Sequence, residues 1–228
     1  MPFRDLREFM DLLAERGELK NCRKEVETKI EIAKVTDKSS KTGGPAILFQ
    51  NVKGFKTPVV SGLYSTIERN FLAIDSNKYD GFRKLDQGMK NPIAHKLVKS
   101  GPCKEVIKTG QDVDLTQIPA LWHHAKERHH YITATCVRVK DPDTGTGNVS
   151  VNRLAVQGKD TLTFHTNPPN HLRLIASKYM ERGQICPVSI AVGVEPATFV
   201  CSGCGIPLGM DEFDFAGGVR GQAVETVK

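Results

Sequence analysis

A single tryptophan, Trp122, and an aromatic content of 7% leave this 228-residue chain few large planar side chains. No run of five basic residues occurs either. A single-stranded nucleic-acid surface needs clustered cations interleaved with stacking rings, so that partner is not expected. No apolar run approaches the roughly 18 residues of a membrane-spanning helix, so no integral span is expected. The opening MPFRDLREFM carries acids where a secretion signal would need an apolar stretch. The six cysteines are too sparse for a disulfide framework, and only Cys201 and Cys204 lie close together. They read as free thiols in a reducing cytoplasm. The formal charge of +6 is spread along the chain, as in a mildly basic cytoplasmic globular protein.

What is present is a mixed pattern. Leu6, Phe9, Met10 and Leu13 recur at helical spacing, and Gly17 stands where a C′ glycine ends a helix. Strand-like KNCRKEV, helical IEIAKVTD, strand-like AILFQNV and TPVVSGLYS, and helical IERNFLAID follow. Gly101–Pro102 and Ile118–Pro119 punctuate a boundary. From Tyr131 the pattern becomes β: a threonine-alternating strand, the loop DPDTGTG, the strand NVSVNRLAVQ, and a turn at Gly158–Lys159 into TLTFH. A helix starting after Asn167-Pro168-Pro169 runs to Gly183, and PVSIAVGV reads as a buried strand. The expected fold is α+β, with an N-terminal α/β domain over 1–103. A β-dominated, barrel-like domain over 104–228 follows.

Several constellations could carry chemistry. Cys201-Ser-Gly-Cys204 is a CxxC, open to zinc, redox or a small-residue turn where backbone approaches something closely. The pairs His123–His124 and His129–His130 could line a cleft, lie in solvent or form a pH-sensitive lid. Arg153 sits in an otherwise apolar strand, either on a surface edge or facing an anion. Strict alternation puts Asn148 and Arg153 on opposite faces, unless a bulge intervenes or Asn148 acts from the strand's mouth. Asn148, His171 at a helix start, and Glu212 in GMDEFDFAGGVRG offer oxygen and nitrogen donors suited to Mn²⁺ or Mg²⁺, with a phosphate completing the shell.

The stretches NVSVNRLAVQGKD, NPPNHL, PVSIAVGVEPA and IPLGMDEFDFAGGVRGQAVETVK resemble the UbiD family of reversible (de)carboxylases that use prenylated FMN. DLREFMDLLAERGEL and PAILFQNVKGF resemble that family's N-terminal region, so the likeness covers essentially the whole chain. The N-x4-R pair, the E-x4-G-G run and the closing E-x-V-K carry it as a set.

The resemblance implies a split β-barrel of flavin-reductase type, incomplete in this chain. It implies metal ligands at Asn148, Glu212 and His171, with Mn²⁺ (or Mg²⁺) bridging to the flavin phosphate and K⁺ nearby. It places Ser150, Val151, Asn152, Arg153, His165, Thr166, Asn167, Asn170, Ser202, Gly203 and Cys204 against the prenylated FMN. Arg153 is implied to be catalytic, its guanidinium pairing with the substrate carboxylate. The implied reaction is non-oxidative decarboxylation, or the reverse carboxylation, of an aromatic or α,β-unsaturated acid, with a flavin prenyltransferase supplying the cofactor. The alternative is a non-catalytic flavin- or metal-binding subunit. The family's proton-relay acids lie after E-x-V-K, and the chain ends at Lys228 within that motif. An N-terminal portion of a longer enzyme, a homo-oligomer or one subunit of a split enzyme is therefore expected, with the faces of Val188, Ile190 and Val192 uncovered.

Overall fold

The computed structural model describes residues 2–227; Met1 and Lys228, the outer bounds of the two expected domains, lie outside the described residues. The elements in chain order are α1 (Leu6–Glu15), β1 (Leu19–Cys22), α2 (Glu31–Lys41), β2 (Ala46–Phe49), β3 (Val59–Ser61), α3 (Ile67–Ala73), α4 (Gly81–Lys90) and β4 (Lys96–Leu97). They continue with β5 (Tyr131–Lys140), β6 (Gly147–Val156), β7 (Leu162–Thr163), α5 (His171–Glu181), β8 (Ser189–Val192), α6 (Pro196–Ser202), α7 (Glu212–Arg220) and β9 (Glu225–Thr226).

α1 forms as its periodicity predicts. Asp5 caps it by accepting from the Glu8 N–H at 3.0 Å, Phe9 and Leu13 are buried, and Gly17 leaves it at φ +73°. β1 and β2 pair in parallel across α2, and β3 adds antiparallel to β2. The first core lies under this sheet, with Phe3, Phe9, Leu13, Leu19, Ala46 and Leu63.

The second sheet has the order β7-β6-β5-β8, antiparallel throughout. Among the described residues it is an open sheet, not a closed barrel. Its strands position the candidate site. Directly paired residues share a face, so Asn148, Ser150, Asn152 and Leu154 lie on the side of Val139, Val137, Thr135 and Ile132. α5 covers that side, with Leu172 and Ile175 packed on Val137, Val139 and Leu154. PVSIAVGV is not buried: Val188, Ile190 and Val192 are 42%, 41% and 59% exposed. Among the described residues β8 pairs only with β5, so hydrogen bonds are satisfied on one edge while its side chains stay in solvent.

α4 and α7 pack backbone to backbone. A Cβ on Gly88 would fall 2.4 Å from Val219 Cγ2 and 2.7 Å from the Val219 nitrogen. One on Gly218 would fall 2.4 Å from the Gly88 carbonyl oxygen and 2.6 Å from that of Asn91. This close approach is the physical reason for the small-residue pair Gly217–Gly218. β4 then pairs in parallel with β9, Lys96 opposite Glu225. The segment from α4 to β4 is thus tied to α7 and β9, around a core of Phe71, Phe215, Ala216 and Val219.

Candidate functional site

Asn148, near the start of β6, and Glu212, the first residue of α7, meet although 64 positions apart. Asn148 Nδ2 donates to Glu212 Oε1 at 2.7 Å, and the Val149 N–H donates to Oε2 at 2.6 Å. Both side chains are buried. Burial pushes the Glu212 carboxyl up to about 7, against the stabilising Val149 N–H. Asn148 Oδ1 is buried and has no partner. An orphaned buried acceptor costs about 1–3 kcal/mol. A hard divalent cation held by that oxygen and the Glu212 carboxylate would recover it, so these residues fit such an ion. His171 opens α5 on the Asn148 side of the sheet. Among the described residues no hydrogen bond joins it to Asn148 or Glu212.

Along β6 the Asn152 amide donates to Ser150 Oγ at 2.8 Å on the α5 side. Val151 and Arg153 take the other face, both exposed. A bulge is present, but in β5: the register passes from Ile132↔Leu154 to Thr135↔Asn152, leaving Thr133 and Ala134 opposite Arg153. Asn148 and Arg153 therefore keep opposite faces. The Arg153 guanidinium lies over the Tyr131 ring, 5.6 Å from its centroid.

The remaining expected residues are spread over two segments. His165 Nε2 and Asn167 Oδ1 pair at 2.6 Å, with half-buried Thr166 between them. Asn170 caps α5, accepting from the Leu172 N–H at 2.9 Å. Cys201 and Ser202 lie in the last turn of α6, so CSGC ends a helix. Glu195 nucleates that helix by accepting from the N–H groups of Ala197 and Thr198. Ser202 Oγ donates to the Thr198 carbonyl at 2.7 Å and the Cys204 thiol to that of Val200 at 3.4 Å. A Cβ at Gly203 would meet only ordinary contacts, the Val200 oxygen at 3.5 Å and Val151 Cγ2 at 3.9 Å. Close approach therefore does not require that glycine here. Burial pushes both the Cys201 and Cys204 thiols up, which disfavours the thiolates that redox or zinc chemistry would use.

Sequence reasoning missed a half-buried ionic network beside Glu212. Arg138 on β5 forks onto Asp211 at 2.9 and 2.7 Å, and its guanidinium stacks 4.3 Å over the Phe213 ring. His95 Nδ1 pairs with Asp214 at 2.6 Å, and the His95 N–H donates to the same oxygen at 2.8 Å. Asp211 also caps α7. A Cβ on Gly147 would lie 2.4 Å from both Arg138 Nη2 and Asp211 Oδ2, so the pair closes over bare backbone. Arg138 occupies the carboxylate of Asp211, which makes this a bracing network and not a cation site. The only sequence signal was an arginine in a strand, on β5.

A cavity of about 1040 Å³ opens between α2, β3, the segment 118–125 and the starts of β5 and α6. His123, His124 and Tyr131 line it, whereas the β6 residues expected to face flavin do not.

Residues 96–228 match the family model described as the 3-octaprenyl-4-hydroxybenzoate carboxy-lyase Rift-related domain, and residues 10–89 match the corresponding N-terminal domain. The chain belongs to the UbiD family. An uncharacterised Synechocystis protein is 32% identical over 99% of this chain and 50% of its own length. An evolved dimeric form of the UbiD-class enzyme HmfF from Pelotomaculum thermopropionicum, solved with prFMN, is 35% identical with a TM-score of 0.93, covering 99% of this chain and 53% of that one. The closed form of Sedimentibacter hydroxybenzoicus vanillic acid decarboxylase shares the fold at TM-score 0.93 and 23% identity, over 100% of this chain and 51% of the other. The chain thus spans about half the length of these UbiD relatives. Among the described residues no helix is long and apolar enough to cross a membrane.

Proposed function

We propose that this chain supplies the cofactor- and carboxylate-anchoring part of a cytoplasmic carboxy-lyase. Its reaction is non-oxidative decarboxylation, or the reverse carboxylation, of an aromatic or α,β-unsaturated acid. The observation that carries the reading is the buried, partnerless Asn148 Oδ1 beside the Glu212 carboxylate, on a strand that also bears Arg153. Asn148 and Glu212, with His171, would hold Mn²⁺ or Mg²⁺, which would neutralise phosphate charge when prenylated FMN binds, with K⁺ as a further ion. Ser150, Val151, Asn152, His165, Thr166, Asn167, Asn170, Ser202, Gly203 and Cys204 line the flavin. When bound, that cofactor supplies the electron sink for charge left as CO₂ departs.

Arg153 orients the substrate carboxylate through two parallel N–H···O bonds and keeps it ionised. Its exposed position leaves the fork free for a ligand, and Tyr131 holds it by the ring face. The division near residue 103 separates an N-terminal α/β domain from the flavin domain. In the assembled enzyme, a second copy or the half that relatives carry completes a split barrel along β8, and a flavin prenyltransferase provides the cofactor.

The test is turnover on a panel of cinnamic- and benzoic-type acids by the assembled enzyme loaded with prenylated FMN. Arg153→Lys keeps the charge and loses the fork. It should bind flavin normally and lose about 1.5–3 kcal/mol of transition-state stabilisation, roughly 10–150-fold in kcat/KM. An unchanged kcat/KM would make the arginine structural.

A further inference from the structure

The first turn of α7 is held from outside on both sides of Glu212. On β5, Arg138 pairs in register with Val149 of β6, whose N–H donates to Glu212 Oε2 at 2.6 Å. The Arg138 guanidinium crosses the bare backbone of Gly147 and forks onto Asp211, the residue before Glu212, at 2.9 and 2.7 Å. Asp211 Oδ1 also accepts from the Phe213 N–H at 2.9 Å, and the guanidinium lies 4.3 Å over the Phe213 ring. Past Glu212, Asp214 Oδ1 accepts from the His95 N–H at 2.8 Å and pairs with His95 Nδ1 at 2.6 Å. His95 Nε2 in turn stands 3.4 Å from Arg138 Nη2. Two clamped aspartates thus bracket Glu212.

The apolar and backbone contacts of α7 lie further along. Phe215, Ala216 and Val219 pack into the core, and the bare contact with α4 falls at Gly218. Gly218 follows Glu212 by nearly two turns, about 9 Å along the axis. A tilt of about 6° about that point would move Glu212 by about 1 Å. Metal–ligand distances tolerate only about 0.2 Å. The core contacts alone therefore leave the carboxylate too loosely placed for a shared ion.

We infer that Arg138 is a positioning residue for the metal corner: its fork on Asp211 fixes the start of α7 against β5 and β6, so that the Glu212 carboxylate stands where it shares an ion with Asn148 Oδ1. This rests on the reading of Asn148 and Glu212 as metal ligands. By charge alone a cation beside a cation site opposes binding. A loss of affinity when the fork goes and the charge stays must therefore come from geometry.

The test titrates Mn²⁺ into the full chain and follows the free ion by electron paramagnetic resonance, at a temperature where circular dichroism shows every variant folded. Arg138→Lys keeps the charge and loses the fork. Arg138→Met/Asp211→Asn removes the clamp without changing net charge and leaves an asparagine to cap α7. Both should bind Mn²⁺ about 10–100-fold more weakly than the wild type. Asp5→Ala removes the cap of α1, which packs in a different core, and lowers stability without touching the clamp. Its Mn²⁺ affinity should equal that of the wild type. Wild-type affinity in either Arg138 variant, or an equal loss in Asp5→Ala, would overturn the inference and leave the metal reading in place. No Mn²⁺ bound by the wild type, or equal binding by Asn148→Ala, would remove the metal reading and this inference with it.

Discussion

Asn148 Nδ2 donates to Glu212 Oε1 at 2.7 Å, and the amide oxygen left over is buried with no partner. The Glu212 carboxylate and the free Asn148 amide oxygen thus both lie where β6 meets α7. A divalent ion bound only by the folded state stabilises it by about 2.7 kcal/mol at one hundred times its dissociation constant. Mn²⁺ should therefore raise the thermal midpoint of the wild type and leave that of Asn148→Ala unmoved, as scanning calorimetry would show. Equal shifts in both proteins would remove Asn148 from the ligand set.

The Arg138–Asp211 pair is bidentate, with Asp211 buried and Arg138 half-buried, 73 positions apart in sequence. Removing one member strands a buried charge. Arg138→Met should cost about 3–5 kcal/mol in urea unfolding, and Arg138→Met/Asp211→Asn clearly less. Additive losses in the two single variants would show that the pair is not coupled.

Gly88 and Gly218 have no room for a methyl group at the α4–α7 contact. Gly218→Ala should destabilise by about 1–3 kcal/mol through overpacking against backbone. Gly158→Ala, with nothing within 4 Å of the added carbon, should change stability by less than about 0.5 kcal/mol. Denaturant midpoints of the two variants decide; equal effects would contradict the packing account.

His123 sets a pH dependence with a definite sign. Its folded value lies below the ordinary 6.5, mainly through burial, with His124 and Arg153 adding and Glu127 opposing. Between those two values the unfolded chain binds more protons, so stability falls as pH drops below about 6.5 and is fully kept above it. Unfolding of wild type and His123→Gln at pH 8 and pH 5 should show a larger acid loss in the wild type. A larger loss in the variant would reverse the sign and refute the assignment.

Local signals were legible where a segment carries its own reason to fold. The Leu6/Phe9/Met10/Leu13 stripe and Gly17 announced α1, and the proline-flanked start with its apolar spacing announced α5. The two long strands β5 and β6 were likewise readable from alternation. α4 was not, because the reasons for its two glycines lie elsewhere in the chain: Gly81 sits against Phe71 and Gly88 against Val219. α6 was not, since seven residues carry little periodicity and its start depends on the Glu195 carboxylate. The exposed faces of Val188, Ile190 and Val192 on β8 were expected from the family resemblance; the strand's apolar composition alone reads as buried, because it does not encode a place at the sheet edge. At the site, Asn148 and Glu212 came from family resemblance, and the structure brings them together. The His95–Asp214 and Arg138–Asp211 pairs lie too far apart in sequence, 119 and 73 positions, for any local pattern to join them.

The central claim is that the Asn148–Glu212 corner holds a metal–flavin phosphate unit. It is tested most directly by purifying the protein from cells that co-express a flavin prenyltransferase and measuring manganese and bound flavin together, in wild type and Glu212→Gln. Glu212→Gln keeps the shape, and a turned Asn148 amide can accept from the new Nε2 through its free Oδ1, so the variant should fold. The account predicts that manganese and flavin co-purify with the wild type and are both lost from the variant at an unchanged thermal midpoint. Equal manganese and flavin in the two proteins would contradict it.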